Sequence, residues 1–76
     1  MTIVFTLAAP EHVSLRIYDV TGREVTTLAD ADLPAGVHSV QWNRRTNAGG
    51  IAPAGVYFYA LRAGAARAGR KLLLLP

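Results

Sequence analysis

Hydrophobic side chains recur along this chain with a period of two. That is the spacing of a half-buried β-strand, not the 3.6-residue spacing of an amphipathic helix. Ile3, Phe5 and Leu7 alternate with Thr2, Val4 and Thr6. Val13, Leu15 and Ile17 alternate with Ser14, Arg16 and Tyr18, and His38, Val40 and Trp42 with Val37, Ser39 and Gln41. Each set predicts a strand with one face turned inward. Val56 to Leu61, VYFYAL, is apolar at both parities and rich in aromatics, which predicts a central strand with little solvent on either face. Lys71 to Leu75 predicts a last strand, ended by Pro76, and Glu24 to Leu28 a shorter one.

Turn signals separate these runs. Pro10-Glu11 and Thr21-Gly22 divide the early strands, Asn47 to Gly50 marks a longer loop, and Gly64 to Gly69 a hairpin loop. Pro-Ala-Gly occurs at Pro34 to Gly36 and again at Pro53 to Gly55, each time before a valine and a strand. Proline presets φ and glycine allows positive φ, so each copy predicts a tight turn feeding a strand. The best helix candidate is Leu28 to Leu33, LADADL, whose aspartates equally suit a loop. Six short strands with almost no helix predict an all-β, antiparallel β-sandwich of about six to seven strands. Two facing sheets hide the apolar sides that one flat sheet would expose.

Length and composition narrow the function classes. At 76 residues, the chain predicts one domain spanning residues 1–76, with no room for a second core or a substrate lid. There is no cysteine, which excludes disulfides, thiolate nucleophiles and zinc ribbons. No apolar run approaches the roughly 20 residues of a membrane-spanning helix. The first ten residues lack the basic start of a signal peptide, so an export signal, if used, is expected upstream in a longer parent. Charge is segregated. All five acids lie before residue 33, and six of eight bases (Arg44, Arg45, Arg62, Arg67, Arg70 and Lys71) lie after residue 43. A basic half suits an anionic partner such as surface polysaccharide, although solvated strand faces explain it as simply.

Catalytic constellations are thin. His12 and Ser14 share a strand face, but no third group in sequence orients them. His38 falls on the face of Val40 and Trp42, where a hydrogen-bonded, half-buried histidine is the ordinary reading. Asp30 and Asp32 read as turn chemistry, and their spacing makes no regular calcium loop. Gly64 to Lys71, GAARAGRK, fails as a phosphate loop because the lysine does not follow the second glycine and no helix follows. Nucleic acid is not the expected partner, since Arg62 is the one base near Tyr57 and Tyr59 in sequence. No enzyme activity, metal or cofactor is expected.

Four stretches, Val13 to Leu28 (VSLRIYDVTGREVTTL), Ala35 to Trp42 (AGVHSVQW), Gly55 to Leu61 (GVYFYAL) and Arg70 to Leu75 (RKLLLL), together form a recognisable pattern. It resembles the immunoglobulin-like C-terminal domains of exported bacterial proteins. These are known as FlgD-like Ig domains, after the flagellar hook-capping protein, or as type IX (Por) secretion C-terminal sorting domains. The resemblance rests on Ile17, Tyr18 and Asp19 with Gly22 and Arg23, on Gly36, His38 and Trp42, and on Gly55, Val56, Tyr57 and Phe58. It departs after the tryptophan, where Asn43 to Asn47 replaces the family's acidic, glycine-containing loop.

The resemblance implies an immunoglobulin-like sandwich and a non-catalytic module of a larger exported protein. That module passes through the periplasm to the cell surface. In the sorting branch the outer-membrane machinery reads the folded domain as an address, and Gly69, Arg70, Lys71, Leu72, Leu73, Leu74 and Leu75 are the expected recognition segment. In the hook-cap branch the domain scaffolds neighbouring subunits, or copies associate through edge strands into a fibre. A carbohydrate-binding adhesin, using Tyr18, Tyr57 or Tyr59 as a sugar platform, is a third expectation.

Overall fold

A computed structural model describes residues 1–75; Pro76, expected to end the last strand, lies outside the described residues. Six strands follow one another: β1 (Thr2–Leu7), β2 (Glu11–Asp19), β3 (Glu24–Leu33), β4 (Gly36–Gln41), β5 (Gly55–Ala63) and β6 (Ala66–Leu74). They form two antiparallel sheets. One is the pair β1-β4, and the other has the order β3-β2-β5-β6. Together they make the expected immunoglobulin-like β-sandwich.

The alternation read from the sequence is the burial pattern observed. Ile3, Phe5 and Leu7 face in from β1, and Val13, Leu15 and Ile17 on β2 are fully buried. The core has two ends. Ile3, Leu15, Ile17, Trp42, Tyr57 and Leu74 pack at one end; Phe5, Leu7 and Val13 pack at the other, with Leu61 and Ala63 against them. Trp42 is 2 % exposed and meets Tyr57 edge-to-face with ring centroids 5.4 Å apart, so it joins the two layers.

Three expectations need correction. Leu28 to Leu33 is neither helix nor loop; it continues β3, paired residue by residue with β2 from Glu11 to Leu15. Local helix propensity loses here to the ladder that β2 offers. The hairpin loop at Gly64 to Gly69 shrinks to Gly64 and Ala65, because Ala63 pairs with Ala66 and β6 begins five residues before Lys71. Gly64 takes φ +58°, the positive first central angle of a two-residue hairpin. Finally, β5 is central between β2 and β6, as expected, but only one of its faces is covered. Tyr57 points into the core, while Phe58 is 40 % exposed on the outer face.

Candidate functional site

Strand β6 holds the segment expected to recognise a partner as far as Leu74, with Leu75 just beyond it, and the structure splits that segment by parity. Leu72 and Leu74 point inward opposite Tyr57 and Gly55, and Leu74 is buried. Leu73 and Leu75 are 61 % and 62 % exposed, and Arg70 and Lys71 are exposed. Gly69 has a packing reason, since a Cβ there would lie 3.1 Å from the Tyr59 carbonyl oxygen. The last-strand and recognition readings therefore fall on different residues of one strand. Because β6 ends its sheet, its second backbone edge is free, and Arg67, Arg70 and Lys71 line it without a carboxylate within ion-pair distance among the described residues.

The outer face of the larger sheet is assembled from residues far apart in sequence. The registers place Arg62 beside Ser14 and opposite Arg67, and Phe58 beside Tyr18 and opposite Lys71. Two arginines directly opposite one another repel, by an amount comparable to other cross-strand pairs. This basic and aromatic grouping was missed in the sequence, where Arg62 appeared alone beside Tyr57 and Tyr59. Those two tyrosines face the core instead. Tyr57 is 6 % exposed and donates its hydroxyl hydrogen bond to the Pro53 carbonyl at 2.7 Å, so of the three candidate sugar-platform tyrosines Tyr18 alone lies on the outer face. The signal that finds the outer grouping is the hairpin register: a two-residue turn at Gly64-Ala65 puts Arg62 and Arg67 opposite.

A second polar cluster lies at the β2-β3 ladder. His12 sits opposite Asp32, and Ser14 opposite Asp30. The imidazolium donates from Nδ1 to Asp32 and from Nε2 to Asp30, both at 2.7 Å. These hydrogen bonds, Asp32's foremost, raise the His12 pKa above the ordinary histidine value. The expectation that no third group orients His12 is thus overturned, because two aspartates hold it once β3 extends to Leu33. With both ring nitrogens held by aspartate oxygens, neither is directed at Ser14.

The signature residues are turn and core makers. Asp19 Oδ1 accepts from the backbone N–H of Thr21 at 2.9 Å, from the Thr21 hydroxyl at 2.6 Å and from the backbone N–H of Arg23 at 3.1 Å. Hydrogen bonding by Thr21, above all, holds the Asp19 carboxyl below the usual carboxylate range. Gly22, at φ +84°, completes that turn. His38 stacks on Phe5 with centroids 5.4 Å apart and donates from Nε2 to the Pro34 carbonyl at 2.7 Å, the satisfied histidine expected. Trp42 Nε1 donates to the Arg45 carbonyl at 3.1 Å and so pins the loop that departs from the family pattern. In that loop Arg44 takes φ +69°, a left-handed angle that glycine would hold without strain. Arg16 lies on the outer face, 3.3 Å from the Glu24 carboxylate, with its Nε buried and without an aligned acceptor.

No helix among the described residues is long and apolar enough to cross a membrane. No curated protein matches the chain. The model of one family, the FlgD Ig-like domain, matches residues 1–68, from the first strand into the last. That span takes in the Asp19 turn, the tryptophan joining the two sheets and the core strand at Tyr57, so the chain belongs to the FlgD Ig-like domain family.

Proposed function

We propose that the chain is a non-catalytic sorting and anchoring module, carried at the C-terminus of an exported bacterial protein. It delivers that protein through the outer-membrane secretion machinery to the cell surface. The observation that supports this reading is β6: a strand with one free edge, bases at Arg67, Arg70 and Lys71, and exposed Leu73 and Leu75. A free edge binds a partner strand through backbone hydrogen bonds, and its side chains set which partner is accepted. Core residues carry the fold, which leaves the edge free to vary in what it recognises.

The test is to fuse the chain behind an exported reporter in a host that has the secretion machinery. Reversing Arg67, Arg70 and Lys71 together to glutamate is expected to hold the reporter in the periplasm while circular dichroism stays that of a β-sandwich. Deleting residues 71–76 is expected to do the same, but it also removes Leu74 from the core, so the charge reversal is the deciding variant. Surface display unchanged by the reversal rejects the proposal.

A second reading, an assembly module, draws on a different observation. The two outer edges of the larger sheet carry opposite charge, with Asp30 and Asp32 on β3 and Arg67, Arg70 and Lys71 on β6. Copies joined edge to edge would associate head to tail, and sedimentation would show complexes that fall apart as salt rises.

A further inference from the structure

We infer that β1 is a second strand-accepting edge, and that it takes an extended, acidic-ended segment of a partner protein into the groove between β1 and the start of β6. The two sheets are unequal, two strands facing four, so part of the larger sheet has no layer above it. The uncovered part is readable along β6. Its inward positions are Ala66, Ala68, Arg70, Leu72 and Leu74, and only the last two are covered. Above the exposed end lies a groove of about 290 Å³, walled by Phe5 and Leu7 on β1 and floored by Leu61, Ala63 and Ala68. Two of the three floor side chains are alanines, so the groove has depth as well as an apolar lining.

Hydrogen-bond parity shows what the groove accepts. Met1 and Trp42 exchange hydrogen bonds, N–H of Trp42 to the Met1 carbonyl at 2.8 Å and the Met1 amine to the Trp42 carbonyl at 3.2 Å. In an antiparallel ladder such pairs alternate. With Thr2 opposite Gln41, Val4 opposite Ser39 and Thr6 opposite Val37, these three β1 residues turn their N–H and C=O groups to the free edge. A row of unpaired backbone groups beside an apolar trough fits an extended strand and not a helix or a compact ligand.

Four strand edges are open and they differ: those of β1 and β4 in the smaller sheet carry no Asp, Glu, Lys or Arg, and of these two only β1's adjoins the apolar groove. β3 is bulged twice, carries Asp30 and Asp32, and already gives its Val25 carbonyl to the N–H of Asn47 at 2.9 Å. β6 carries three bases. β1, Thr2 to Leu7, has no charge, no proline and no register shift, so it lacks the usual devices that prevent strand addition. Charge selects the occupant. Arg67, whose parity is that of the outer face, is the one charged residue at the groove's rim, and Arg70 is exposed on the inner face; neither has an ion-pair partner among the described residues. An acid at the end of the incoming strand meets these bases. A second copy's β1 carries no acid, so a partner protein fits better than self-pairing. This inference does not rest on the sorting proposal, which uses the other sheet's edge.

The test titrates the chain with the acetylated, amidated peptide Glu-Val-Thr-Val-Thr-Val-Thr and follows amide hydrogen exchange by NMR. The expected result is binding, with exchange at the Val4 and Thr6 amides slowed at least about tenfold. Replacing the peptide's Glu by Lys, or Val4→Pro in the chain, is expected to weaken binding about tenfold or more. Proline at position 4 removes only an edge N–H, which edge strands tolerate. Arg67→Glu, a surface change that leaves the core intact, is expected to reverse the preference toward the Lys peptide. The inference is overturned by no binding, by equal affinity for the Glu and Lys peptides, or by protection appearing on β6 instead. Protection of Val4 and Thr6 that grows with protein concentration and without peptide also overturns it, because the occupant is then a second copy.

Discussion

Truncating Trp42 to alanine tests the packing on which every surface feature depends. The side chain is 2 % exposed, sits between the β1-β4 pair and the larger sheet, and meets Tyr57 edge-to-face. Its deletion removes the apolar transfer energy of an indole and leaves a cavity, about 3–5 kcal/mol for a large aromatic. The Tyr57 contact is part of that sum, about 0.5–1.5 kcal/mol. The lost Nε1–H bond to the Arg45 carbonyl, which is part-buried, adds about 0.5–1.5 kcal/mol. In a domain this small each kcal/mol moves Tm by roughly 4–8 °C, so the loss should exceed about 12 °C and leaves little margin for folding. Trp42→Phe is the control, since it keeps the edge-to-face contact and most of the volume and should cost about 1–2 kcal/mol. Urea unfolding followed by far-ultraviolet circular dichroism reads both variants without needing the tryptophan signal. A Tm lowered by less than about 4 °C in Trp42→Ala would falsify the assignment of Trp42 as the link between the sheets.

Leu15→Ala, at a fully buried site on β2, should destabilise by about 2–5 kcal/mol in urea titration. Gly22→Ala should cost about 1–2 kcal/mol, entirely from backbone strain at φ +84°, since no atom lies within 4 Å of the added methyl. His12 has a raised pKa in the folded chain. Its pairing with Asp32 and Asp30 therefore stabilises fully below the ordinary histidine value of 6.5 and is lost as pH rises through the raised one. The Tm advantage of the parent over His12→Gln should accordingly shrink on going from about pH 5 to about pH 9, and a constant difference would count against the clamp. Asp19, with its lowered pKa, behaves in the opposite sense. Its contribution is present above the ordinary carboxylate value of 3.8 and fades as pH falls through the folded one, so Asp19→Ala should hurt at neutral pH and not in strong acid.

The sequence alone determined the strands whose two faces differ. Ile3, Phe5, Leu7, Val13, Leu15 and Ile17 alternate cleanly with polar neighbours, and burial of one face follows from chain geometry without knowledge of any partner strand. The turns at Asp19 to Arg23 and at the two Pro-Ala-Gly repeats were legible too, because proline and glycine act on their own φ angles. The tertiary structure alone decided the rest. LADADL carries no strand signal of its own and becomes β3 because β2 presents an open ladder. Which face of VYFYAL meets the core was undecidable while both parities were apolar, and the Ile17-Tyr59 pairing settled it. The clamp on His12, the opposed Arg62 and Arg67, and the bare edge of β1 all depend on which strands become neighbours and in what register. Pairing is a long-range choice made by the whole set of strands, and a local pattern of side chains does not contain it.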